Sequence, residues 1–244
     1  MRRELAGLAL VLIVTGCGGG AESTSGTDIG ALAADVTAQL AGRTSAHVTF
    51  EVTGGATGDG GYRTTPDLAA DFTMTGPDGP SRFIMLDGIM YVRPPRPEQP
   101  ARPWLRFAAG RQDVAALAGA MIEQADIGRQ LGRLRQAGTI TATATETVDG
   151  QPVYRYKIDL DVARLAEAEA DHVLKTGLRE LRAQGVERIP YELWLDGTGL
   201  PVKITMDLPG QSAKLTIGYT RWGEPVDVTA PPADQVIDAP DRVF

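Results

Sequence analysis

The sequence is short of the residues that metal centres and many catalytic sites require. Its 244 residues include one cysteine and two histidines. A single cysteine excludes a disulfide framework and a cysteine-based zinc cluster. The histidines, His47 and His172, lie far apart in the sequence and leave little for metal ligation or for a histidine-dependent catalytic triad. We therefore expect no metal site, no cofactor and no enzymatic activity.

Basic residues are also scarce. The chain has 24 Lys and Arg against 31 Asp and Glu, which gives a formal net charge of -7. Nucleic acid is thereby disfavoured as a partner, because phosphate binding requires a basic surface. The composition is otherwise ordinary for a globular protein, at 43% hydrophobic and 23% charged residues.

The hydrophobic run at the N-terminus is too short to span a membrane. It covers residues 5–14, about half of the ~20 residues that a transmembrane helix needs. Arg2 and Arg3 precede it, and Val14-Thr15-Gly16-Cys17 follows it. An aliphatic residue, two small residues and a cysteine resemble the bacterial lipobox, in which the cysteine thiol receives a diacylglyceryl group. We expect lipidation at Cys17, against the alternatives of an ordinary signal peptide or a buried free cysteine.

This pattern predicts three parts of the chain. Residues 1–16 are expected to be a lipoprotein signal peptide, and residues 17–27, rich in Gly, Ser and Thr, a flexible tether. Residues 28–244 are expected to form a single domain that ends in a loop-like tail. The Cys17 acyl chains, palmitate among them, would hold that domain at the extracytoplasmic face of the cell membrane.

Hydrophobic periodicity predicts an α+β fold. Helical spacing of apolar residues covers 28–41, 111–137 and 161–184, and Asp28 is placed to cap the first helix. Residues 54–61 are glycine-rich and predict a turn, and Asp87-Gly88 predicts a hairpin. Alternating segments from residue 46 to residue 221 predict about eleven strands. Without βαβ alternation, we expect one large antiparallel sheet with helices packed on one face.

The order of these segments resembles a known family. A lipobox, a polar tether, a helix, a long strand meander and central helices precede Leu193-Trp194-Leu195-Asp196 and Gly199-Leu200-Pro201, and Val226-Asp227-Val228 follows near the end. This plan is similar to that of actinobacterial LppX/LprG-type lipoproteins, which are related in fold to the carriers LolA and LolB. The resemblance covers about residues 28–238.

The resemblance implies a curved, half-open sheet whose concave face, covered by helices, holds acyl chains. It supplies no ligand-binding signature, so the candidate lining residues are apolar positions of the predicted strands. They are Phe50, Phe72, Met74, Phe83, Met90, Tyr154, Tyr156, Leu193, Ile204 and Ile217. Each of these is also compatible with a plain core role. Small residues of the central helix, Ala115, Ala118 and Ala120, are expected to leave room for the chains.

Other clusters have simpler explanations. Asp171-His172 and the acidic residues near it fit a solvated helix face, and His47 fits a strand surface. Arg129, Arg133 and Arg135 fit a solvated face better than a contact to lipid headgroups.

Three functions follow from these observations. The first is a lipid-anchored carrier or chaperone that binds the acyl chains of a lipid, glycolipid or lipoglycan. The second is an anchored sensor or assembly factor that binds an unknown protein partner and has a filled core. The third, an envelope enzyme, requires titratable groups that converge in a cleft.

Overall fold

The computed structural model describes residues 28–107, 127–148, 150–170, 172–208 and 213–239. Within them the helices are α1 Ile29–Leu40, α2 Ile127–Ala137, α3 Val162–Ala168 and α4 His172–Ala183, with a short 3-10 helix at Ala233–Gln235. The strands are β1 Ser45–Val52, β2 Thr57–Arg63, β3 Ala69–Gly76, β4 Gly79–Leu86, β5 Ile89–Arg93, β6 Trp104–Phe107, β7 Gly138–Val148, β8 Gln151–Asp161, β9 Arg188–Leu195, β10 Pro201–Leu208, β11 Ala213–Thr220 and β12 Val236–Asp238.

All of these strands belong to one open sheet. Their order is β12-β6-β5-β4-β3-β2-β1-β11-β10-β9-β8-β7, so β12 and β7 are the edges in the described part of the chain. Every neighbouring pair is antiparallel except β12 and β6. The predicted α+β class is confirmed, with twelve strands in place of about eleven.

The helices pack against one face of the sheet. The core joins Leu32 and Val36 of α1, Leu131 and Leu134 of α2 and a large set of strand residues. We call this side the helix face and the opposite side the outer face. Asp28 caps α1 as predicted, because its carboxylate accepts a hydrogen bond from the Ala31 amide at 2.9 Å.

Turn chemistry fixes the hairpin between β4 and β5 as predicted. Asp87 and Gly88 adopt φ values of 54° and 72°. Two successive residues with positive φ are what a tight hairpin turn needs, and Gly and Asp tolerate that region best. The turn sets the register in which Met85 opposes Met90.

The predicted turn at residues 54–61 is wrong, because most of it is strand β2. Gly60 lies opposite Phe72 in this strand, and a Cβ on Gly60 would stand 2.5 Å from the Phe72 ring. A Cβ on Gly58 would stand 3.3 Å from both Phe50 and Met74. The glycines therefore make room for large side chains of the two neighbouring strands.

The predicted helix over residues 161–184 is interrupted. α3 ends at Ala168, and Glu169 has extended backbone with ψ 127°. The Glu169 carboxylate lies 3.5 Å from Arg133 of α2, and the Glu169 carbonyl accepts a hydrogen bond from Lys175 at 3.2 Å. The break thus brings a carboxylate to α2.

The C-terminal tail was expected to be loop-like, but part of it forms a strand. After β11 the segment 221–235 crosses the outer face, where the Gly223 amide donates to the Ser45 carbonyl at 2.9 Å. The tail then adds β12 at the edge, parallel to β6, and Arg106 pairs with Asp238 at 2.7 Å. A three-residue strand is too short to show an alternation in sequence.

Candidate functional site: an apolar sheet face under helices

Strand register places the predicted lining residues on the helix face. Five of them follow one line across the sheet, because each opposes the next in a neighbouring strand. In order across β1, β11, β10, β9 and β8, they are Phe50, Ile217, Ile204, Leu193 and Tyr156. The strand register therefore brings residues from five strands onto one surface.

The other five share that face by the same alternation. Phe72 opposes Phe83, and its ring meets the ring of Phe50 edge-on with centroids 5.4 Å apart. Met74 lies two residues further along β3. Met90 lies opposite Met85, and Tyr154 opposes Leu195. All ten candidates thus lie on one side of the sheet.

Burial divides the ten candidates into two groups. Phe72, Met90, Leu193, Ile204 and Ile217 are at most 5% exposed and serve as core. Phe50, Met74, Phe83 and Tyr156 are half-buried, and Tyr154 is 44% exposed. Only the second group retains surface that a ligand can touch.

Six half-buried apolar side chains on the helix face make up a group that we call the apolar strip. Val52, Leu215 and Met206 lie opposite one another in turn, and Phe50 and Met74 flank Gly58. The strip consists of Phe50, Val52, Met74, Phe83, Met206 and Leu215. Two of its members are methionines, whose flexible side chains adapt to varied ligand shapes.

The described helices contact the sheet mainly near the edge formed by β7 and β8. α1 and α2 pack on each other and contact β7, and α2 and α3 contact β8. Ala115, Ala118 and Ala120, expected to leave space under the central helix, lie outside the described residues. Ile158 of β8 and Tyr191, which opposes it in β9, are each 1% exposed in this part of the sheet.

An ion pair links the helices that cover this end. Arg133 of α2 and Glu169 are 20% and 15% exposed in their side chains, with 3.5 Å between nitrogen and oxygen. Arg133, which belongs to the predicted solvated arginine cluster, therefore has a structural contact.

Tyrosines on the helix face have weakened acidity. Burial raises the pKa of Tyr156, and the nearby Tyr154 and Asp35 add to that effect. Tyr191 is 1% exposed, and burial alone raises its pKa. Tyr191 lies two residues before the predicted lining residue Leu193 in β9 and shares its face, but the sequence gave no reason to single it out.

The outer face carries the ionic groups. Arg82 binds Asp71 through two hydrogen bonds of 2.8 and 2.6 Å, and His47 lies 3.4 Å from Asp59. These residues line a polar groove of about 330 Å³ between the sheet and the segment 221–227. Within the described residues, no three His, Cys, Asp or Glu side chains converge as metal ligands would. His47 thus has the strand-surface position predicted for it.

No helix in the described part of the chain combines the length and the apolar character needed to cross a bilayer. Cys17 and the predicted signal peptide and tether lie outside the described residues.

Known proteins resemble the chain in sequence. No protein-family model matches it. It is 26% identical over 248 aligned residues to the lipoarabinomannan carrier protein LprG of Mycobacterium tuberculosis, with 94% of this chain and 96% of LprG covered. The same protein of Mycobacterium bovis gives the same values. These relatives are named as carriers and not as enzymes.

Solved structures resemble the chain in fold. The lipoprotein LppX of Mycobacterium tuberculosis superposes with a TM-score of 0.53 at 18% identity, covering 82% of this chain and 98% of LppX. LprF of Mycobacterium bovis gives 0.54 at 16% identity, covering 83% of this chain and 96% of LprF. The chain therefore resembles the LppX/LprG-type lipoproteins, as its sequence plan predicted, in sequence along nearly all of its length and in the fold of its large sheet.

Proposed function

We propose that the chain is a lipid-anchored protein of the cell envelope that binds and carries the acyl chains of a lipid or lipoglycan on its helix face. The observation that carries this proposal is the apolar strip. Its six large apolar side chains are neither fully exposed nor fully packed, although they lie on the side of the sheet that helices cover. Apolar surface of this kind is typical of binding sites for apolar ligands.

The relatives support the same function from a separate direction. LprG is named for carrying lipoarabinomannan, and its similarity extends along nearly the whole chain. A carrier of such a lipoglycan must shelter acyl chains from water, since each buried methylene contributes about 0.8 kcal/mol. The apolar strip offers this shelter, and Phe50, Met74, Phe83 and Tyr156 are the predicted lining residues best placed to contact the ligand.

The anchor completes the proposal. The Cys17 thiol would receive a diacylglyceryl group, and removal of residues 1–16 would then make Cys17 the N-terminus, from which residues 17–27 would tether the sheet domain outside the membrane. In cell fractionation, the parent should sediment with the membranes, while Cys17→Ser should be released or remain an uncleaved precursor. A processed Cys17→Ser protein that still sediments like the parent would contradict the anchor.

A second candidate function has one specific observation in its favour. Five of the ten predicted lining residues are fully buried, which is what a filled core requires in an anchored protein that binds a protein partner. The two functions differ in whether lipid occupies the helix face.

Co-purified lipid distinguishes them. The full chain with Cys17→Ser, which carries no acyl anchor, is purified without detergent from a bacterial host that makes lipoglycans, and native mass spectrometry records its mass. We expect a lipid adduct that organic solvent extracts. A protein of the unmodified sequence mass, with no gain after incubation with host lipid extract, would support the partner-binding function instead.

A further inference from the structure

A buried hydroxyl on the helix face has no hydrogen-bond partner among the described residues. Tyr191 of β9 is 1% exposed, and its hydroxyl oxygen makes no hydrogen bond within the described part of the chain. Most buried side-chain polar atoms in native proteins have a hydrogen-bond partner, so an exception requires a specific explanation. Because burial raises its pKa, the phenol stays protonated and is available as a hydrogen-bond donor.

Tyr191 lies where the closed core meets the apolar strip. On one side it opposes Ile158 of β8, which is 1% exposed, and on the other it opposes Met206 of β10, which is half-buried. Met206 belongs to the strip, and its unbranched side chain has several accessible rotamers. A ligand that contacts Met206 on the strip would therefore lie beside Tyr191 in the strand register.

The surroundings of the Tyr191 hydroxyl determine which hydrogen-bond acceptor of a ligand it can bind. The core cluster around Tyr191 consists of apolar and aromatic side chains, and burial alone raises the pKa of Tyr191, with no contribution from a charged side chain of the described residues. A carboxylate or a phosphate placed there would be a buried charge without a counter-ion, which is strongly unfavourable. A neutral carbonyl carries no such penalty.

We propose that the Tyr191 hydroxyl donates a hydrogen bond to an ester carbonyl of the bound lipid, at the point where an acyl chain joins its glycerol or sugar backbone. Tyr191 is then a specificity-determining residue that favours ester-linked over ether-linked chains. Met206 turns aside to admit the ester group. This inference rests on the proposed lipid-binding function and adds the polar group that the apolar strip cannot recognise.

Two synthetic lipids of equal chain length test the inference. Dipalmitoylglycerol has two ester carbonyls, and dihexadecylglycerol has the same chains in ether linkage and no carbonyl. Both are titrated by native mass spectrometry against the full chain with Cys17→Ser, because the natural anchor would bring its own esters. The variants are Tyr191→Phe and, as a matched control, Tyr91→Phe, which changes a half-buried tyrosine of β5 on the outer face, away from the apolar strip.

We expect the parent to bind the diester about three- to tenfold more tightly than the diether, the range of one net hydrogen bond. Tyr191→Phe should bind the two lipids equally, while Tyr91→Phe should keep the preference. A preference that survives in Tyr191→Phe, or its absence in the parent, would overturn the inference and leave lipid binding intact. Failure of the parent to bind either lipid would instead overturn the proposed function, and the inference with it.

A spectroscopic measurement keeps the test independent of the variant's folding. The ester carbonyl band of ¹³C-labelled dipalmitoylglycerol, bound to the chain with Tyr191 intact, should include a hydrogen-bonded component at lower frequency. A single band at the position seen in dry hydrocarbon would overturn the inference without any substitution at Tyr191.

Discussion

The two faces of the sheet differ although they are built from the same strands. In β3, Phe72 is 2% exposed on the helix face, while Asp71 next to it lies on the outer face and binds Arg82. Successive side chains of a strand point to opposite sides, so neighbours in sequence face different surroundings. The apolar strip and the polar groove therefore lie on opposite faces of the same sheet, and each face must be considered separately.

The two faces also differ in what they contribute to stability. Full burial of a large apolar side chain contributes about 1.5–3 kcal/mol, whereas an exposed ion pair contributes about 0–1 kcal/mol. The helix face should therefore dominate the free energy of unfolding. Substitutions of neighbouring residues on the two faces make this difference measurable.

The largest effect is expected at the centre of the helix face. Ile217 of β11 is 0% exposed, and Ile217→Ala should lower the free energy of unfolding by about 2–5 kcal/mol, because it removes buried methylenes and leaves a cavity. Its neighbour Thr216 faces outward, and Thr216→Ala should cost less than about 1 kcal/mol. Urea unfolding measures both, and equal losses would contradict the assignment of the faces.

Filling the apolar strip should affect ligand more than fold. Met74→Trp adds bulk to the half-buried strip, and two displaced ligand methylenes would weaken binding about tenfold or more, at about 0.8 kcal/mol each. Thr75→Trp, on the outer face of the same strand, is the control. Co-purified lipid and melting temperature are measured together. A Met74→Trp protein with lower melting temperature and unchanged lipid would indicate a packed core at this position.

A smaller effect is expected at the start of the helix cover. Asp28→Ala removes the carboxylate that accepts from the Ala31 amide, and should destabilise the protein by about 0.5–2 kcal/mol. Asp28→Ser keeps an oxygen at the cap and should retain most of the stability. Thermal unfolding of the two variants checks this, and identical losses would show that the cap does not hold α1.

The smallest effect is expected on the outer face. The side chains of Arg82 and Asp71 are 48% and 22% exposed, so solvent and salt screen their pairing. Arg82→Met should change the free energy of unfolding by at most about 1 kcal/mol, and the change should shrink in 1 M salt. Unfolding curves at two ionic strengths provide the measurement. A loss above 2 kcal/mol would mean that the outer face is a second structural core.

Features set by neighbouring residues were predictable from the sequence. Alternation in single strands placed Phe50, Leu193, Ile204 and the other candidates on one face, because the side-chain period of a strand is two. The Asp87-Gly88 turn and the Asp28 cap were also correct, since both depend on backbone chemistry within four residues.

Features that depend on distant residues were not predictable. Gly58 and Gly60 look like a turn until the rings of Phe50 and Phe72 are placed beside them. β12 exists because residues 236–238 reach β6, more than 120 positions earlier in the chain. The division of the candidates into buried and half-buried side chains depends on what packs over each strand position, which periodicity alone does not fix.

Photocrosslinking tests most directly whether lipid lies on the helix face. Cells that express the full-length protein are fed a fatty acid with a photoreactive group midway along its acyl chain, and the cells are then irradiated. The crosslinked peptides are identified by mass spectrometry. We expect adducts on the strands that carry the apolar strip, at Phe50, Met74, Phe83, Met206 or Leu215. Adducts confined to outer-face residues such as Thr73 or Lys203, or to Cys17 alone, would contradict the account.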